Sequence, residues 1–125
     1  MSDAPHITPT REAFLQYAQE GNLIPVYREI LADFETPLSA YRKIRSDGEA
    51  FLCESVEGGE HLSRYSFVGC NPRGIIRQDG DQVQVIEGGK VTATFAVSRE
   101  AGENHVRDGL EVVEKVLGRY RAVDL

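Results

Sequence analysis

Tryptophan is missing from this chain of 125 residues, which has one methionine, two cysteines and three histidines. The cysteines, Cys53 and Cys70, form no CxxC pair and have no histidine at metal-ligand spacing, which excludes a zinc site or a disulfide scaffold. Both fall in apolar runs, where buried reduced thiols are expected. His6, His61 and His105 stand apart from any nucleophile or carboxylate at a telling spacing, so histidine-based catalysis has no foothold. No apolar run approaches the length of a membrane span, and the opening MSDAPHITPT lacks the basic start and apolar run of a signal peptide. Basic residues number 14 against 20 acidic ones, a net charge of −6 with pI near 5.0, which disfavours nucleic acid and anionic membrane as partners. Only Arg42, Lys43 and Arg45 are grouped, as on a solvated helix face. A cytoplasmic protein is expected. Absent too are a phosphate loop, a triad spacing and paired carboxylates on a helix, so no self-sufficient enzyme can be assembled from these residues.

What is present is the balance of a soluble globular chain, with 41% apolar and 27% charged residues. The length suits one domain with its own core. Residues 1–8 read as frayed. Thr8-Pro9 is a cap and first-turn proline for a helix with Phe14, Leu15, Tyr17 and Ala18 on one face, stopped at Gly21. Asn22 to Leu31 is β-branched and aromatic enough for a strand, with Pro25 placing it at an edge. Thr36-Pro37 repeats the helix start, and Leu38, Tyr41 and Ile44 make a stripe ending before Gly48. Asn71-Pro72-Arg73-Gly74 is a turn, and Asp79-Gly80-Asp81 and Glu87-Gly88-Gly89-Lys90 are hairpin turns leading to an alternating strand, Val91 to Val97. Val106, Leu110, Val113, Leu117 and Tyr120 mark a last helix, with Glu111 and Lys115 a supporting pair. The sum is an α+β fold, with about three helices and a mostly antiparallel sheet of five to six strands.

The middle of the chain carries the strongest local signal. An apolar run from Ala50 to Cys53 ends in Glu54 and Ser55, Gly58-Gly59 make a turn, and Arg64 to Gly69 form a returning strand. This hairpin places a carboxylate, a hydroxyl and a guanidinium (Glu54, Ser55, Arg64) at facing strand ends, where a small zwitterion fits. Leu52-Cys53-Glu54-Ser55-Val56-Glu57-Gly58-Gly59-Glu60, followed by Ser63-Arg64-Tyr65-Ser66-Phe67-Val68-Gly69, resembles the N-terminal signature of anthranilate synthase component I. That family carries Leu-Leu-Glu-Ser-Val-Glu-Gly-Gly-Glu, a short spacer, and Arg-Tyr-Ser-Phe-Ile-Gly. Gly21 to Tyr27 and Thr36 to Tyr41 fit it as well, so the likeness runs from about Phe14 to Tyr120. Cys53 departs from the family leucine, and the larger chorismate-binding domain is not in this sequence.

The resemblance implies an N-terminal regulatory domain. In the family the complete subunit converts chorismate to anthranilate and pyruvate, with Mg2+ held by the other domain and ammonia delivered by a glutamine amidotransferase partner, component II. Its N-terminal region helps form the feedback site for L-tryptophan, which by motif position points to Leu52, Glu54, Ser55 and, after a spacer of variable length, Arg64. No catalytic or metal-ligating residue is implied here. An amino-acid effector needs an acceptor for its ammonium, which Glu54 offers, donors for its carboxylate from Ser55 and Arg64, and an apolar wall such as Leu52. Read from spacing alone, the same residues also suit a solvated strand end and a surface ion pair worth roughly 0–1 kcal/mol. The related aminodeoxychorismate synthase component I shares the tetrad, so a structural docking domain without a regulatory role is the alternative.

Overall fold

The structure, a computed structural model, describes residues 6–54, 65–100 and 102–125. Among these described residues three helices and six strands run in the order α1 (Arg11–Tyr17), α2 (Pro37–Ile44), β1 (Ala50–Glu54), β2 (Ser66–Cys70), β3 (Gly74–Asp79), β4 (Gln82–Glu87), β5 (Lys90–Val97), β6 (His105–Val106) and α3 (Gly109–Leu117). The α+β class is as expected, but the strands divide between a β1–β2 pair and a sheet in the order β3-β4-β5-β6. The chain groups into two compact units, residues 32–75 and residues 1–31 with 76–125.

In the second of these units, alternation on β4 turns Val83 and Val85 inward between Gln82, Gln84 and Glu87. They meet Val106 of β6 and Val112 of α3, all four at 2% exposure or less, with Ile76, Ala93, Phe95, Val97 and Val116 around them. The period of two on the strands and the helical spacing on α3 thus converge on one valine cluster. β4 and β5 pair antiparallel from Gln82↔Ala96 to Glu87↔Lys90, and a bulge between Val85 and Ile86 shifts the register. The Gly88-Gly89 turn joining them holds both glycines at positive φ (59° and 76°), the conformation a two-residue hairpin of matching twist demands. Gly80, at φ 58°, does the same between β3 and β4.

Several local expectations are corrected here. Thr8 does not cap α1, because its N–H and C=O are both spent on Tyr27 at 2.8 Å; Thr10 Oγ1 accepts from Ala13 N instead. The same pairing holds Thr8 in place. Residues 22–31 do not form a strand. They make two single bridges, Leu23 with Ala122 and Tyr27 with Thr8, to different segments on either side of Pro25, which has no N–H to continue a ladder. The last helix begins at Gly109 because Asp108 caps it, accepting from Glu111 N at 3.0 Å, and Val106 belongs to the parallel strand β6. Glu111 makes its close ion pair with Arg107, and Lys115 adds a weaker charge interaction.

Candidate functional site

The unit of residues 32–75 carries the motif. Its helix, α2, starts where the sequence says it should. Thr36 Oγ1 accepts from Ser39 N and Ser39 Oγ accepts from Thr36 N, a reciprocal cap with Pro37 in the first turn. Ser39 Oγ also donates to Glu35, and Lys43 pairs with the same carboxylate. These partners, Lys43 foremost, hold the Glu35 carboxyl below its ordinary range. At the other end the Arg45 guanidinium lies 5.9 Å from the centroid of the Tyr41 ring. Of the basic trio on α2, then, Lys43 and Arg45 have partners.

α2 rests on both strands of the hairpin. β1 and β2 pair antiparallel in the register Ala50↔Cys70, Leu52↔Val68 and Glu54↔Ser66. One face, bearing Ala50, Leu52, Val68 and Cys70, is half-buried. The opposite face carries Phe51, Cys53 and Phe67, with Phe51 52% and Phe67 64% exposed. Both thiols were expected in the interior; Cys53 is exposed and Cys70 only partly covered, because the pleat turns Cys53 to the bare face. On that face the Phe51 ring lies over its cross-strand partner Gly69, where a Cβ would collide with it. Phe51 and Gly69 also border an apolar cleft of about 340 Å³ with Ala50, Cys70 and Pro72. Motif reasoning passed over this pair; knowing the register would have revealed an aromatic opposite a glycine. The Asn71-Pro72 turn closes β2, with Asn71 at φ 51° and its Oδ1 accepting from Ser46 Oγ at 3.1 Å.

Of the four candidate effector residues, the structure describes two. Leu52 and Glu54 share a face two residues apart, roughly 7 Å along the strand. Leu52 is half-buried and Glu54 exposed at the strand end, so an apolar surface and a carboxylate sit side by side. Ser55, Arg64 and the Gly58-Gly59 turn lie outside the described residues. Among the described residues no group of three or more His, Cys, Asp or Glu side chains is placed to hold a metal ion, and no helix is long and apolar enough to cross a membrane.

Comparison with known proteins decides the family. The chain is 39% identical over 116 residues, 92% of its length, to anthranilate synthase component 1 of Pseudomonas putida. It is 50% identical over 91 residues to the same component of a Synechocystis strain, and 32% identical over 118 residues to that of Acetivibrio thermocellus. The chain belongs to the anthranilate synthase component 1 family. It spans about a fifth of the length of these relatives, between 18% and 22%. That share is what the N-terminal region indicated by the motif would cover. No family model matches the chain, and no solved structure matches it.

Proposed function

We propose that this chain is the N-terminal regulatory region of an anthranilate synthase component 1 subunit and contributes its L-tryptophan feedback site. The observation that carries the reading is the Leu52-x-Glu54-Ser55 motif at the end of β1, with half-buried Leu52 and exposed Glu54 on one face. Glu54 receives the ammonium of the effector, Leu52 walls its indole, and Ser55 and Arg64 take its carboxylate. The chemistry of the whole protein, chorismate and ammonia to anthranilate and pyruvate with Mg2+ and a glutamine amidotransferase partner, belongs to the longer subunit in this reading. Tryptophan then inhibits by preferring the state in which the chorismate site is less competent, and chorismate weakens tryptophan by the same factor. A cytoplasmic setting follows from the same pathway.

Because the chain has no tryptophan of its own, fluorescence of added L-tryptophan reports the ligand alone. Saturable binding is expected, with Glu54→Ala raising Kd by roughly 10-fold to 100-fold, the scale of one hydrogen bond to a charge. Equal saturation by the wild type, Glu54→Ala and Ser55→Ala would sink the site. A second reading, a docking module that binds no effector, rests on the bare Phe51-Cys53-Phe67 face. It is favoured if tryptophan binds neither this chain nor the full-length subunit.

A further inference from the structure

Within the unit of residues 1–31 and 76–125, one polar side chain makes long-range contacts unlike the others. The Asn22 amide donates through Nδ2 to the Arg119 carbonyl at 2.7 Å, and its Oδ1 accepts from Arg121 N at 2.5 Å. The backbone alongside repeats the grip. Asn22 N and Leu23 N both donate to the Arg121 carbonyl, at 3.0 and 3.2 Å, and Val123 N donates to Leu23 O at 3.2 Å. The neighbouring Gly21 is buried, and a Cβ there would run into the Arg121 carbonyl and the Val123 side chain. Residues 21–23 therefore grip residues 119–123 across nearly the full length of the chain.

The chemistry of the grip selects asparagine. It must offer one N–H to a carbonyl and one oxygen to an N–H from the same planar group. Aspartate keeps the acceptor and sets a negative charge against the Arg119 carbonyl; alanine supplies neither. None of residues 21–23 or 119–123 belongs to the cluster around Val83 and Val112, and the apolar anchor of the gripped segment is the buried Val123. Arg119 and Tyr120 also donate to the Val116 and Leu117 carbonyls, and Arg119 pairs with Glu87 at 3.3 Å, both at the surface. A segment held by such exposed polar contacts and one apolar side chain opens at lower free energy than a packed core.

We propose that residues 119–123 are a releasable strap and that Asn22 is its latch, opening as a unit while the valine core stays closed. Amide hydrogen exchange of the 125-residue chain tests this. In the wild type, Leu23, Arg121 and Val123 exchange at a common rate, faster than Val83, Val85 and Val112. Asn22→Ala accelerates those three together by about tenfold, the scale of one to two lost hydrogen bonds, and leaves the core amides unchanged. Asn22→Asp accelerates them together by a smaller factor. Acceleration of Arg121 alone, whose N–H loses its acceptor directly, would overturn the proposal by reducing the contact to an isolated hydrogen bond. Equal acceleration of the core amides, or an Asn22→Ala chain that does not fold, would overturn it in the opposite sense, since the strap would then be inseparable from the core.

Discussion

The two units of this chain spend their apolar residues differently. Every buried apolar side chain among the described residues, Val83, Val85, Val106, Val112 and Val123, lies in residues 1–31 and 76–125. Among its described residues the unit of residues 32–75 has none, although it carries Phe34, Leu38, Ile44, Phe51, Tyr65 and Phe67, all 41% exposed or more. Yet residues 32–75 bear the family motif. A valine cluster fixes geometry by dense packing and has no reactive groups to offer, whereas a two-stranded hairpin covered by α2 on one face alone has less packing to fix it. The family motif thus sits where burial is least, and binding free energy at such a place has the most leverage on conformation.

The largest test of this contrast is truncation of the best-covered strand valine in each unit. Val83→Ala empties part of a fully buried site and is expected to cost about 2–3 kcal/mol. Val68→Ala, on the half-buried face of the hairpin, is expected to cost about 1 kcal/mol. Urea unfolding midpoints at constant slope measure both, and equal losses would break the comparison.

The helix caps give a smaller and sharper probe. Asp108→Ala and Thr36→Ala each remove a side-chain acceptor from a helix start, at an intrinsic cost of about 1 kcal/mol. α3 contributes Val112 to the core and should stay formed, while α2, with no buried residue, should fray. Amide exchange within Pro37–Ile44 and Gly109–Leu117 reads this directly. Equal protection in the two variants would show that α2 is better anchored than its exposure indicates.

The smallest effect is that of acid, and it is the same in kind for both units. Glu35 is held below the ordinary value of 4.5 first by Lys43 and then by Ser39. Glu111 is held below it first by the Arg107 backbone N–H and then by the Arg107 side chain. A carboxyl lowered in the folded state lends stability above about pH 4.5 and loses it as pH falls through the lowered value. Both side chains are only partly covered and stay in reach of solvent, so the loss is slight. Melting temperatures of Glu35→Gln and Glu111→Gln between neutral and about pH 3 should fall less steeply than those of the wild type, and parallel curves would refute the role.

Much of this was legible in the residues. The glycines Gly80, Gly88 and Gly89 announced tight turns because few other residues accept positive φ, and Thr36-Pro37 announced α2 because cap and first turn are local chemistry. The failures share a cause. Residues 22–31 have strand composition, but their N–H and C=O groups find partners in Thr8 and in residues 121–123, contacts that no local pattern encodes. Val106 fits the helical stripe of α3 by spacing, yet Asp108 starts the helix two residues later and leaves Val106 to pair with Val97. At the candidate site, the motif located Leu52 and Glu54 on a strand end. It did not reveal that the other face of the same strand is bare.

The hairpin register also has a redox consequence. Cys53 stands opposite Phe67 and Cys70 opposite Ala50, so the two thiols lie on opposite faces and three positions apart, roughly 10 Å along the ladder. Bridged cysteines need Cα atoms within about 7 Å and side chains that converge. An oxidant therefore cannot close a loop within this hairpin. It acts on the exposed Cys53 first, and any disulfide formed there joins Cys53 to a thiol outside this hairpin.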